Sequence, residues 1–368
     1  MDIHSFEALV IGAGIAGATA GAHLSTTHRV ALLEAEESAG YHTTGRSAAI
    51  WILSYGSPDA RILTGASRGF FEGPPPGFAE APLAHPRAVL TLADAAQLPA
   101  LEASLDAGRV PLPLEAARTL VPAIRIDWAV AAAIETDAFD IDVAALHQGY
   151  LAQLRRAGGV LELRHRAGRI WHEGGLWHAE TAGGDVFTAS VIINAAGAWG
   201  DAVADIAGVA RIGLQPKRRT ALIIDPGEHD SRDWPMVGDM EHSWYVRPEA
   251  RGKLMVSPAD ETDSVPCDAQ PDELDVAIAV DRMQQALDIP VRRVEHRWAG
   301  LRSFTPDRGL AIGASAMPGF FWFCGQGGYG IQTAPAAGRL LAQLVRGEAP
   351  DADVAAAVAL TDPLRFAA

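Results

Sequence analysis

The sequence predicts an α/β protein in two parts: a domain on a mostly parallel sheet, and a second, α+β domain whose core sheet is antiparallel. Three observations predict it. The chain opens on a strand–turn–helix–strand unit, "FEALVIGAGIAGATAGAHLSTTHRVALLEAEE". A later strand, Val191 to Asn194, turns through Ala195, Ala196 and Gly197 into a helix. Between that turn and a last glycine-rich one, the run from about 213 to 302 is strand-rich, with "TALIID", "WYVRP" and "GKLMVSP". Strands alternating with helices favour a parallel sheet, and a run of strands favours a separate antiparallel one.

In the opening unit, Phe6 to Ile11 is an apolar strand, and Gly12, Gly14 and Gly17 match G-x-G-x-x-G. Ile15 to Ser25 reads as a helix of small residues. Arg29 to Leu33 is a second strand, ending in Glu34, 22 positions after Gly12. Gly12 permits the tight turn, Gly14 lets a pyrophosphate approach the backbone, and Gly17 lets the helix pack on the strand. Gly14, Ile15 and Ala16 then present the helix N-terminus, whose N–H groups and dipole favour an anion. Glu34 can accept from ribose hydroxyls. Strand, helix, second strand and terminal acid stand in the context a Rossmann-like dinucleotide site requires.

Composition excludes several classes. Hydrophobic residues make up 49% and charged residues 20%, as in an ordinary globular protein. A net charge of −15 argues against a nucleic-acid partner. No run of 18 apolar residues exists, so no transmembrane segment is expected. The N-terminus is acidic and runs into a strand, which does not read as a targeting peptide. Cys267 and Cys324 are far apart and form no CxxC pair. The reading is a cytoplasmic protein with reduced thiols and no metal site.

The G-x-G-x-x-G motif does not separate FAD from a nicotinamide cofactor, since both carry an adenosine diphosphate. Thr43, Thr44, Gly45, Arg46, Ser47 and Ala48 follow the second strand as a polar loop rather than as another strand–helix repeat. Near the end, "GQGGYG" puts four glycines into the six residues 325–330, just before a helix. Glycine there costs backbone entropy, which suggests that something flat or charged approaches the main chain.

These segments together resemble the D-amino-acid oxidase superfamily of flavoproteins. The likeness is carried by Gly12–Gly17, Gly45-Arg46-Ser47-Ala48-Ala49, Asn194-Ala195-Ala196-Gly197-Ala198-Trp199 and Gly327-Gly328-Tyr329-Gly330-Ile331-Gln332. "GLQPKRRT", "DWPM", "WAGLRSF" and "QGGYGIQT" resemble in particular the bacterial D-amino-acid dehydrogenases, those acting on D-arginine included. The resemblance implies non-covalent FAD along all four segments, with the flavin beside the C-terminal glycine turn and Gln332 at its edge. Pro335 is expected in the first turn of the following helix, where its missing N–H does no harm. The division implied is a cofactor domain from 1–83, 139–212 and 303–368, and a substrate domain from 84–138 and 213–302. "DVAALHQGYLAQLRRAGG" reads as an amphipathic helix starting near Asp142.

For Arg302 the flanks Trp298, Leu301 and Phe304 are apolar, so its neighbourhood should be buried, and a buried arginine must be paired. A carboxylate is the natural fork-shaped partner. By resemblance, Arg219 and Arg302 clamp a substrate carboxylate, Tyr245 and Tyr55 donate hydroxyls, and Gly328 offers a carbonyl to the amine. Lys217 and Arg218 read as a solvated face, and His42 and His147 as structural. Relatives that use arginine place an acid where Val89 stands in "HPRAVLTL". Together with Ile50, Ile52 and Met236, Val89 makes an apolar side-chain pocket the expectation. The expected activity is oxidative deamination of an apolar or aromatic D-amino acid; the sequence does not specify the electron acceptor, and a quinone or another carrier is what the resemblance alone implies. Alternatives are an oxygen-using oxidase of glycine- or sarcosine-like amines, and a flavin-binding protein without turnover.

Overall fold

The computed structural model describes residues 3–106 and 108–366. A six-stranded sheet runs in the order Val160–Glu162, Val30–Leu33, Ala8–Ile11, Val191–Asn194, Phe320–Cys324, Ala311–Ala314. All its pairings are parallel except the last. The central strands are apolar on both faces and wholly buried, as parallel strands between two layers must be. On one face pack the helices Ile15–Leu24, Pro58–Glu72, Val143–Arg156 and Gly330–Arg346. The other face is covered by Gly200–Ile206 and by a four-stranded sheet made from Ile3–Ser5 and the antiparallel strands Ala167–Glu173, Leu176–Thr181 and Val186–Ala189. Asp142 caps the helix Val143–Arg156, its carboxylate accepting from Ala145 N at 2.8 Å.

The second part is a nine-stranded sheet. Gln215–Ile224 and Val294–Phe304 form its long hairpin-like pair, and Val89–Ala93, Arg109–Leu112 and Ala131–Glu135 complete the far end. Its pairings are antiparallel but for Met236–Asp239 alongside Val89–Ala93. The outer face is buried under the helix Glu273–Ala286 around Trp234, Trp244 and Met283. The inner face turns toward the carboxyl ends of the parallel strands, the usual place for a ligand in an open α/β sheet.

Two local expectations are corrected. Pro335 stands six residues into the helix Gly330–Arg346, in its second turn, so the Ile331 carbonyl loses its helical partner. The loop after Ser47 continues as a strand, Ile50–Ile52, paired with Ala138–Ile141. In it Trp51 stacks on Phe139 at 5.0 Å and points into the core, while Leu53 is exposed.

Candidate active site

One cavity of about 1080 Å³ lies between the two sheets and runs from the first glycine turn to the last. At one end Gly12 has φ +99°, and a Cβ there would stand 2.7 Å from the Ala195 carbonyl. Only glycine fits that turn. Ala13 N donates to Glu34 Oε2 at 2.8 Å, and Glu36 N to Glu34 Oε1 at 3.0 Å. Glu34 therefore holds the turn as well as facing the cavity, and each oxygen keeps a lone pair for a ribose hydroxyl. Ile15 N donates to Thr44 Oγ1 at 2.9 Å, which joins the polar loop to the helix start. Buried His147 donates from Nε2 to the Ala13 carbonyl at 2.9 Å; burial lowers its pKa, so it is a neutral strut. The amides of Gly14 and Ala16 have no hydrogen-bond acceptor among the described residues. Neither have those of Gly330 and Ile331 at the start of the long C-terminal helix. Two helix N-termini with unpaired N–H groups thus open on one cavity, which suits a diphosphate at one and an electron-rich carbonyl edge at the other. The residues present fit FAD.

Most residues expected at the cofactor line this cavity: Ala48, Ala196, Gly197, Trp199, Gly327, Gly328 and Tyr329 among them. Two do not. A Cβ on Gly17 would stand 1.7 Å from the Gly12 carbonyl, and one on Gly45 would stand 2.7 Å from the Gly40 carbonyl. Both serve backbone packing behind the wall. Arg46 borders the cavity, but its guanidinium is committed elsewhere. It donates to the Ala269 and Ala299 carbonyls at 2.9 Å each and pairs with Asp268. It ties the cofactor loop to the second domain. Gln332 is 3% exposed, with its amide accepting from Ile52 N at 3.3 Å and donating to Thr64 Oγ1 at 2.9 Å. That amide braces the strand Ile50–Ile52 while Gln332 also lines the cavity. Gly327, at φ +49°, backs onto the Phe304 ring, where a Cβ would sit at 2.4 Å.

At the other end stand two guanidinium groups. Strand alternation turns Arg219 inward and sends Arg218 outward to Asp275 at 2.7 Å. In the same hairpin-like pair Gly300 is opposite Arg219, so Arg302 lies diagonally across on the same face. Arg302 Nη1 donates to Tyr55 Oη at 3.2 Å, and it has no carboxylate partner among the described residues. Arg219 donates from Nε to the Asp260 carbonyl at 2.8 Å and pairs with Glu261 at 3.3 Å. Glu261 is shared with Arg308, 2.9 Å away. Burial lowers the Arg219 pKa, and the Arg302 charge lowers it further. Burial alone would raise the Tyr245 pKa, but the Arg302 and Arg219 charges outweigh it and the hydroxyl is held below its ordinary value. Gly328 closes the group: a Cβ there would stand 2.8 Å from Tyr55 Oη and 2.9 Å from Arg302 Nη1. The array is an electropositive socket with hydroxyl donors, built against the last glycine turn.

Ile50, Ile52, Val89 and Met236 all line the wall beside this socket. The expectation of an apolar pocket is incomplete, however. Ser54, Arg109, His242, Arg247 and the exposed Glu241 border the same space. Sequence reasoning missed Arg109, Ser54, Glu261 and Arg308 because nothing in their local spacing marks them. They meet only through sheet register and loop returns.

The comparisons agree with this geometry. The family model described as "FAD dependent oxidoreductase" (DAO) matches residues 7–344. A D-amino acid dehydrogenase of Xanthobacter autotrophicus is 29% identical over 204 residues, covering 54% of this chain and 46% of that protein. The FAD-dependent oxidoreductase domain-containing protein 1 of Xenopus laevis is 27% identical over 179 residues, or 42% of this chain and 34% of its own length. The matches thus span less than half of either relative. Among solved structures, the L-proline dehydrogenase of P. horikoshii superposes with a TM-score of 0.83 over 100% of this chain and 99% of its own at 19% identity, a likeness of fold. With the family model spanning both glycine turns and the two arginines between them, the chain belongs to the DAO family of FAD-dependent oxidoreductases.

Proposed function

We propose that this protein oxidatively deaminates D-amino acids, with residues 1–83, 139–212 and 303–368 holding FAD and residues 84–138 and 213–302 holding the substrate. The observation that carries the proposal is the Arg302 guanidinium, which faces the cavity beside the last glycine turn without a carboxylate partner among the described residues. A buried cation without an anion is costly, and a substrate α-carboxylate removes the cost. In this reading Arg302 and Arg219 grip the carboxylate, Tyr55 and Tyr245 donate to it, and the Gly328 carbonyl takes the amine. Held at those points, the α-carbon has one remaining direction in which to present its hydrogen. FAD, when bound, accepts that hydride, and the resulting imino acid hydrolyses to a 2-oxo acid and ammonia. The wall of Ile50, Ile52, Val89 and Met236 supports a side chain with an apolar or aromatic body. Arg109 and Arg247 beside it disfavour a cationic one.

The test is anaerobic bleaching of the flavin by a panel of D- and L-amino acids, followed by steady-state rates. D-Leu, D-Met and D-Phe are expected to exceed D-Arg and D-Lys in kcat/KM. Arg302→Met should lower kcat/KM by about 2–5 kcal/mol of transition-state stabilisation. Turnover within a few-fold of wild type in that variant would refute the clamp. Peroxide measured in the same runs separates an oxidase from a dehydrogenase.

A further inference from the structure

Five residues form one row across the second sheet. Arg109 is in register with Glu135, Glu135 with Val89, and Val89 with Met236. The pairing of Val237 with Val246 sets Arg247 opposite Met236. Residues in one row point to one face, and Arg109, Val89, Met236 and Arg247 all border the cavity. The apolar pair is therefore flanked by Arg247 on one side and by Glu135 on the other, with Arg109 on the next strand beyond Glu135.

The two arginines are unequally satisfied. Arg247 reaches the Ala49 carbonyl at 3.3 Å and Asp140 at 3.4 Å. Arg109 is only 12% exposed, yet its nearest side-chain partners are distant: Ser54 Oγ at 3.5 Å and Glu135 at 3.7 Å. Its Nε is buried with no partner among the described residues, as is that of Arg247, so the difference between the two lies in the longer contacts of the Arg109 fork. Glu135 is engaged more closely by Ser54 Oγ, at 2.8 Å, than by the arginine. A guanidinium with this much donor capacity in reserve takes up an anion that fits its fork. The charge reaches the space in front of it. Burial lowers the pKa of His242 on the cavity wall; Arg109 lowers it further, Asp239 opposes them, and Arg219 adds to the lowering. Both cations thus act on one compartment. Of the acids bordering it, Glu241 is exposed to solvent and screened, Asp239 accepts from Gln97 and Ser243, and Glu261 is paired with Arg219 and Arg308.

We propose that Arg109 is a specificity-determining residue that binds a second carboxylate, at the far end of the substrate side chain, so that the preferred substrates are dicarboxylic amino acids. This rests on the amino-acid reading of the same cavity. The methylenes of such a side chain cross Val89 and Met236, and its terminal carboxylate meets Arg109 beyond them.

The experiment compares D-Glu and D-Asp with D-Leu in steady state, for the holoenzyme and for Arg109→Met. Wild type is expected to favour D-Glu or D-Asp over D-Leu in kcat/KM, and the substitution should reduce that ratio at least about tenfold. Since Arg109→Met leaves Glu135 buried without its cation, Arg109→Met/Glu135→Gln is run beside it and should show the same change. A wild-type preference for D-Leu, or an equal loss for all three substrates, overturns the proposal. Glutarate and butyrate titrated against the flavin spectrum give a readout independent of turnover. Glutarate should bind at least about tenfold tighter than butyrate, and the gap should close in the variants. If no amino acid bleaches the flavin, the deaminase reading falls while this titration still decides the role of Arg109.

Discussion

Arg302 and Arg219 face one another across a sheet with the Tyr55 and Tyr245 hydroxyls around them, and this sets the charge state of a phenol. Burial pushes the Tyr245 pKa up, but the two cations outweigh it and hold the pKa below the usual value of 10.0. The sign of its effect on substrate binding follows. The neutral hydroxyl donates to a carboxylate, whereas the phenolate repels it and neutralises part of the clamp. Substrate affinity should fall as pH rises through that lowered pKa, giving an alkaline limb in kcat/KM that lies under pH 10. Tyr245→Phe should move the limb upward and cost about 0.5–1.5 kcal/mol at neutral pH for the lost hydrogen bond. An unmoved limb in a correctly folded, flavin-loaded variant would assign the titration to another group.

At the scale of elements, the cofactor domain depends on how closely two helices approach. Gly338, midway along Gly330–Arg346, lies against Thr19 of Ile15–Leu24. A Cβ there would stand 2.2 Å from Thr19 Oγ1 and 2.9 Å from Cγ2, so no rotamer of Thr19 alone relieves the clash. Gly338→Ala should destabilise by about 1–3 kcal/mol, the usual range for overpacking, with a lower thermal midpoint read by circular dichroism. Thr19→Ala in the same chain should recover part of it. A full wild-type midpoint in Gly338→Ala would mean that the helices have room to separate. The helices Ile15–Leu24 and Val143–Arg156 were legible in sequence because their signals are local: glycine spacing at 12, 14 and 17 for the first, and the Asp142 cap for the second. Arg219 and Arg302 were legible through resemblance and through apolar flanks. The partner of Val89 was not. Glu135 and Arg109 come beside Val89 by strand register from 46 and 20 positions away, and register is set by tertiary pairing rather than by local composition. Gln332 and Arg46 sit in recognisable motifs, yet their side chains bond to protein, which no motif records.

For the whole molecule, the two sheets meet across the cavity wall and through tethers such as Arg46 to Ala299, Thr43 Oγ1 to the Leu301 carbonyl at 2.8 Å and Trp298 Nε1 to the Arg46 carbonyl at 3.1 Å. Unpaired amides at two helix starts, and an arginine pair on the facing sheet, leave the cavity polar and electropositive. A dianionic diphosphate joined to a flat ring system relieves both and bridges the glycine turns. FAD should therefore act as a structural element held without a covalent bond. Denaturation in acid should release all the flavin into the supernatant. The protein stripped of it should melt at a lower temperature, and the midpoint should rise with added FAD, since a ligand at 100 times its Kd stabilises the folded state by about 2.7 kcal/mol. Colour that stays with the denatured polypeptide would establish a covalent tether. A midpoint independent of FAD concentration would show that the two domains hold their arrangement through the protein contacts alone.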